Sequence, residues 1–222
     1  MYSIAFDTTG SGCSIALLHK DKIIASFSES MDFGQAEVLM PQIKKMLNSE
    51  NLKFSQIDNL FVCAGPGSFT GVRSGISAAR VFGVAQPKLK VCGVSAFDAY
   101  AQMIEIQDIA EANAIIIETR RDDFYFQMFD KKMNKQGEPK AMTRGDIINI
   151  LKTKGCLVTL AGDGVERFLS QPSGLSLHSI KMTNNLPIEA LCKAGLKMLQ
   201  SKKINYPKPL YLRAPDVTLP KL

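Results

Sequence analysis

The segment Gly65-Pro66-Gly67-Ser68-Phe69-Thr70-Gly71-Val72-Arg73-Ser74-Gly75 constrains this chain more than any other. An apolar, β-prone run, Leu60-Phe61-Val62-Cys63-Ala64, precedes it and reads as a buried strand. Gly-Pro-Gly is turn chemistry, and Ser68 and Thr70 are good N-cap residues, so the spacing predicts a helix that starts near Ser68–Gly71 and runs to about Val84. Along that helix Gly71, Gly75, Ala79 and Gly83 recur every four residues and draw one stripe nearly free of side chains. A Gly inside a helix costs about 1 kcal/mol against Ala, so the stripe implies that another backbone lies close along it. That neighbour is either a partner's helix or this chain's own sheet. The partner is the expectation, with Arg73 and Arg80 on a separate face of the helix, placed to meet acids or phosphate.

A chain of 222 residues can bury a sizeable core, as one large domain or two small ones. No segment approaches the roughly 18–20 unbroken apolar residues of a membrane span. Met1-Tyr2-Ser3-Ile4-Ala5-Phe6-Asp7 has no basic leader before its first acid, so a cytoplasmic location with no membrane contact is expected. Cys13, Cys63, Cys92, Cys156 and Cys192 are scattered, odd in number and never C-x-x-C, which reads as free, mostly buried thiols. His19 and His178 have no His, Asp or Glu at i+4, so neither a His-based metal site nor a Ser-His-Asp triad can be assembled from local spacing. From residue 190 onward seven Lys and Arg face Asp216 alone, so the whole net charge of +6 falls in that C-terminal stretch. A basic tail can touch RNA or an acidic partner, but it lacks the aromatic interleaving of RNA-binding segments, so tRNA contact is expected to be indirect or weak.

The pattern of elements repeats. Strands are expected over 2–7, 13–19 and 23–29, then a helix over 36–47 that carries Val38, Leu39, Gln42 and Met46, with Pro41 kinking it or delaying its start. Strand 60–64, the small-stripe helix, strand 89–94 and helix 96–103 follow. The chain then restarts with strands 114–118 and 124–129, a polar hairpin or loop over 131–140, helix 143–151, strand 156–160, Gly162-Asp163-Gly164, a short helix, and an amphipathic helix over 187–200. The reading is an α/β chain of tandem βββαβα units, residues 1–106 and 107–204, with mixed sheets and flanking helices. The Pro-rich tail, 205–222, is expected to pack back on the first unit, with Leu210 and Leu212 inward and Arg213 near the junction. This element order is similar to the actin-like (RNase H-like, ASKHA) superfamily of sugar kinases, acetate kinases and chaperone ATPases, although fold alone does not give activity.

By that likeness Asp7-Thr8-Thr9-Gly10 at the end of the first strand, and Gly162-Asp163-Gly164, are candidate remnants of phosphate loops. Gly65–Gly71 itself is no P-loop, because Val72 stands where Lys is required, and no nucleophile elbow, because Pro66 breaks G-x-S-x-G. No acid–base constellation is visible.

The opening Ile4-Ala5-Phe6-Asp7-Thr8, the loop-helix Gly65–Gly75 and the tail Pro209-Leu210-Tyr211-Leu212-Arg213 resemble the signatures of the TsaB (YeaZ) family. The family's catalytic relative, TsaD, carries a His-x-x-x-His metal pair, which this sequence lacks. Where TsaB proteins often have a His before the first helix's Pro, this chain has Gln35. The resemblance implies a non-catalytic scaffold of the bacterial complex that transfers a threonylcarbamoyl group to the adenosine beside the anticodon of ANN-decoding tRNAs. It implies docking on TsaD through the two N-terminal helices, recruitment of the ATPase TsaE, homodimerisation in isolation, no metal, and no cofactor beyond a nucleotide held only within the complex. The docking positions it points to are Val38, Leu39, Gln42, Met46, Gly71, Arg73, Gly75, Ala79, Arg80 and Gly83. Competing readings are a stand-alone actin-like ATPase or sugar- or acetate-kinase-like phosphotransferase, and a peptidase of the glycoprotease-like superfamily.

Overall fold

The computed structural model describes residues 1–31, 34–181 and 185–213. Its elements in chain order are β1 (Tyr2–Asp7), β2 (Gly12–His19), β3 (Lys22–Ser30), α1 (Gln35–Ser49), β4 (Ile57–Cys63), α2 (Phe69–Ala85), β5 (Lys90–Val94) and α3 (Ala96–Ala101). The second half gives β6 (Ala112–Glu118), β7 (Asp123–Asp130), β8 (Lys135–Thr143), α4 (Arg144–Lys152), β9 (Val158–Ala161), α5 (Val165–Leu169), β10 (Leu177–Ser179) and α6 (Ile188–Gln200).

Two five-stranded sheets result, ordered β3-β2-β1-β4-β5 and β8-β7-β6-β9-β10. Within each, the opening meander is antiparallel and the two later strands add in parallel. The two halves therefore share one topology, βββαβαβα, one strand and one helix longer than the expected repeat unit. The segment read as a polar hairpin or loop over 131–140 is the hairpin: a turn over 131–134 joins β7 to β8, and β8 is mostly exposed because it is an edge strand. Strand β10, of only three residues, carries too little pattern to be visible in sequence.

Local signals explain most boundaries. Ser68 caps α2 by accepting from the Gly71 N–H at 3.3 Å, and Ser95 and Thr143 cap α3 and α4 in the same way. Pro41 lies inside α1, which runs through it from Gln35 to Ser49. The core of the first sheet packs Ile4, Phe6, Leu60 and Val62 against Leu39, Ile43, Met46 and Ala79. On the opposite face Ala5, Phe61, Phe97 and Tyr100 join Ile115, Ile117 and Phe129 of the second sheet and Leu191 and Ala194 of α6 in one continuous cluster. One apolar layer is thus shared by both sheets.

The stripe on α2 faces this sheet, which corrects its reading as a partner surface. A Cβ on Gly71 would collide with the Thr8 carbonyl oxygen, one on Gly75 would stand 2.6 Å from Thr8 Oγ1, and one on Gly83 would stand 3.0 Å from Val91 Cγ2. Ala79 is fully buried. Thr8 Oγ1 also donates to the Gly71 carbonyl at 2.7 Å, so the end of β1 is bonded to the first turn of α2. Leu39 and Met46 likewise point into the core, with exposures of 1% and 7%. Glycine at these places lets α2 sit against β1 at backbone distance, and close-packed interiors leave no room for more.

Candidate functional site

A cleft of about 1270 Å³ opens where the carboxyl ends of β1, β4 and β6 converge. Asp7, Thr9 and Ser11 from the β1–β2 turn, Ser68, Phe69 and Arg73 from α2, and Tyr100 from α3 form one side. Glu118 to Arg121 from the β6–β7 turn, Asp163 and Arg167 form the other, and Leu210 to Arg213 of the tail close it. Such a crevice at strand carboxyl ends is where α/β proteins place ligands.

Both turns that could cradle an anion are already filled by this chain's own groups. In the first, the Thr9 N–H and hydroxyl both donate to Asp7 Oδ1, at 2.8 and 2.7 Å, and the Ser11 N–H donates to Asn185 Oδ1 at 2.9 Å. The Thr9 carbonyl is taken by the Ser68 N–H at 2.8 Å. Burial pushes the Asp7 carboxyl above the usual carboxylate range, against the pull of the Thr9 hydrogen bonds. In the second, the Glu118 N–H donates to Asp163 Oδ1 at 2.9 Å, the Arg120 N–H to Glu118 Oε1 at 2.6 Å, and the Arg121 N–H to Thr119 Oγ1 at 3.2 Å. Carboxylates accept the Thr9, Glu118 and Arg120 N–H groups that a phosphate would need, and they repel it as well.

The loop expected from sequence in the second half is not the topological counterpart of the β1–β2 turn. By topology the counterpart of the β1–β2 turn is Glu118-Thr119-Arg120-Arg121, which lacks glycine and gives no phosphate-loop signal. Gly162-Asp163-Gly164 instead packs down on β6. Gly162 has φ +116 and a Cβ there would overlap the Ile116 carbonyl, while one on Gly164 would lie 3.0 Å from the Glu118 nitrogen. Asp163 is pushed up to about 6 by burial, with the Glu118 N–H and the Tyr100 hydroxyl as hydrogen-bond partners that oppose the shift.

The arginines of the cleft are engaged too. Arg167 grips Glu118 through Nε and Nη2, at 2.6 and 2.7 Å, and lies 3.8 Å above the Phe124 ring. Burial works against the Glu118 charge, but the Arg167 and backbone bonds together hold its carboxyl below the usual range. Arg120 bonds Ser11 across the cleft, and Arg213 pairs with Asp123. Arg73 and Arg80, read as partner contacts, hold the tail. Arg73 Nε donates to the Tyr211 hydroxyl at 2.8 Å, its guanidinium lies 3.7 Å above the Phe69 ring, and Arg80 Nη2 donates to the Pro207 carbonyl at 2.8 Å. Asn185, Tyr100, Asp123 and the Glu118–Arg167 pair were not picked out from sequence. Each gains its part only through a partner more than forty positions away.

Of the expected docking positions, Val38 and Gln42 are half-buried and Arg73 and Arg80 exposed. The outward side of α2 presents residues that were not on that list: Ser77, then Val81 and Val84, exposed by 65% and 80%. Phe69 at the start of α2 and Met40 on the adjoining α1 are each about half exposed. Among the described residues no group of three His, Cys, Asp or Glu side chains could hold a metal ion, and no helix is long and apolar enough to cross a membrane.

Comparison with known proteins places this geometry. A family model described as TsaD, tRNA N6-adenosine threonylcarbamoyltransferase, matches residues 34–154. The chain is 27% identical to the tRNA threonylcarbamoyladenosine biosynthesis protein TsaB of Escherichia coli K12, over 96% of this chain and 95% of that protein. Its alignment with TsaB of Haemophilus influenzae is 29% identical and spans 55% of this chain and about half, 51%, of that relative. A Pseudomonas aeruginosa crystal structure, described as an uncharacterized protein with similarity to peptidase YEAZ, superposes with a TM-score of 0.75 at 25% identity, covering 96% of this chain and 99% of that one. An Arthrobacter polyphosphate/ATP-glucomannokinase shares the fold alone, with a TM-score of 0.54 at 12% identity.

The paired sheets and the cleft between them define an actin-like, ASKHA-type fold. Within that class the chain belongs to the TsaB/YeaZ family, inside the broader group the TsaD model describes.

Proposed function

We propose that this protein is a non-catalytic subunit of the apparatus that makes threonylcarbamoyladenosine on ANN-decoding tRNAs, docking on a TsaD-type catalytic subunit and helping to recruit a TsaE-type ATPase. What carries the reading is a match to E. coli TsaB along nearly the whole chain, on a fold whose two anion-cradling turns are filled by its own side chains. Such turns leave no ready place for the triphosphate of a working kinase or ATPase, so the protein hydrolyses no ATP and transfers no phosphate alone. Its location is the cytoplasm, where tRNA is modified. We also take the chain to divide near residues 106 and 107, by sheet, with residues 205–213 belonging to the first unit.

The docking surface in this reading is the outward side of α2, with Val81 and Val84 at its centre. Exposed valines a helical turn apart, on a helix locked to the sheet behind it, are a preformed apolar stripe, and removing such residues from water is what drives association. A TsaD-type subunit is the occupant, and a second copy of this chain takes the same surface when that subunit is absent.

The test mixes the purified protein with a TsaD-type subunit and follows co-elution and threonylcarbamoyladenosine formation. Val81→Asp combined with Val84→Asp should abolish co-elution and product while leaving the melting curve of the free protein in place. Unchanged assembly by that variant would remove α2 as the docking helix. Steady ATP turnover by the isolated protein, lost in Asp7→Ala, would overturn the non-catalytic reading.

A further inference from the structure

We infer that residues 205–213 act as a strap that sets the width of the cleft between the two sheets. The segment leaves α6 and runs across the edge of the first sheet: the Gly93 N–H donates to the Asn205 carbonyl at 2.8 Å, and the Leu210 N–H donates to the Ala64 carbonyl at 2.9 Å. Pro207 is buried, and its carbonyl takes two hydrogen bonds from Arg80, at 3.2 and 2.8 Å. The fit is close, because a Cβ on Gly93 would stand 2.7 Å from the Pro207 Cα.

Further along, Tyr211 stacks on Phe69 with ring centroids 5.7 Å apart and accepts from Arg73. Two residues later the strap changes sides. Arg213 pairs with Asp123, the first residue of β7, and lies 6.0 Å over the Tyr125 ring of the same strand. Leu210 to Arg213 line the cleft between these two points of attachment. One short extended segment is thus fixed to β5, β4 and α2 of the first half and to β7 of the second, with the cleft beneath it.

The two ends are not equal. The first-half attachment uses main-chain hydrogen bonds and a buried proline, and it cannot release without unpairing the sheet edge. Among the described residues the second-half attachment rests on the partly exposed Arg213–Asp123 ion pair with its ring contact, with side-chain exposures of 26% and 17%, beside the half-buried Leu212. An ion pair of that kind contributes about 1 kcal/mol. The strap therefore opens at Arg213 while residues 205–210 stay bound, and the cleft widens from the β6–β7 turn.

Hydrogen exchange on the full chain tests it. In Arg213→Ala the amides of 118–123 and 9–12, which face each other across the cleft, should exchange roughly fivefold faster, the factor that about 1 kcal/mol of lost pairing gives. Amides of the central strands β1 and β6 should keep their protection, and Arg213→Lys should restore part of the effect. Gly93→Ala attacks the strap from its other end and should release residues 205–210 as well; if that variant fails to fold, Arg213→Ala still decides. Unaltered exchange in both turns for Arg213→Ala, or an equal rise throughout the chain, would overturn the inference.

Discussion

The two sheets have the same strand order and the same pattern of parallel and antiparallel pairing, yet they close their carboxyl ends differently. In the first, a seventeen-residue helix, α2, lies flat on the sheet because Gly71, Gly75, Ala79 and Gly83 remove the side chains that would hold it off. In the second, the matching helix α5 has five residues, and the approach is made by the loop before it, where Gly162 and Gly164 rest on Ile116 and Glu118. The same physical device, a missing Cβ at a backbone crossing, serves a long rigid helix in one half and a short loop in the other. The hairpin turns are filled from close by: Asp7 at the end of β1 serves the first, and Glu118 at the end of β6, with Asp163 delivered by the glycine loop, serves the second. That is how both turns come to be filled from within.

This comparison can be broken most decisively at Gly71. Gly71→Leu should cost about 3 kcal/mol or more in a urea melt, since overpacking against a backbone carbonyl has nowhere to relax. A variant that melts like the wild type would mean that the stripe does not meet the sheet. Gly162→Ala comes next, at about 2 kcal/mol, because it combines a left-handed φ with overlap on Ile116 across a shorter, more adjustable loop. A penalty larger than that of Gly71→Leu would reverse the ranking of the two closures.

Asp163→Asn sharpens the second half of the comparison through pH. Its folded-state value, pushed up to about 6 from an ordinary 3.8, means that the native state binds the proton more tightly than the unfolded chain. Stability of the wild type should therefore fall as pH rises through that window and level off above it. The Asn variant never charges and should lack this fall, gaining on the wild type at pH 7 and losing that advantage near pH 4. Parallel stability curves for the two proteins would show that Asp163 is not held in a desolvating site. The smallest effect is expected at Val84→Asp. On this exposed position the free protein's stability should stay within about 0.5 kcal/mol of wild type. A large loss there would mean that α2 buries its outward face in the free chain.

Much of the scaffold was legible before any coordinates. Ser68 and Thr143 mark helix starts through local capping, which depends only on neighbours three residues away. The buried run before Gly65, the doubled order of strands and helices, and the close approach implied by Gly71, Gly75, Ala79 and Gly83 were likewise in the sequence. The length of strand β8 within the polar hairpin, and the three-residue β10, were not, because edge strands carry too little apolar alternation to stand out from loops.

What the sequence could not settle was which backbone meets the stripe. Spacing shows that one face of a helix lacks side chains; it does not say whether β1 or another subunit lies there, and the contact between Gly71 and Thr8 joins residues sixty-three positions apart. The same holds for the cleft. Asp7 and Asp163 read as acids of candidate phosphate loops; Asp7 and Glu118 accept from N–H groups two residues on, but only the tertiary structure brought Asp163 onto the Glu118 N–H, forty-five positions away. Local propensity fixed the elements because capping and periodicity act over a few residues. Long-range packing decided which faces are free, since that depends on what the rest of the chain brings against them.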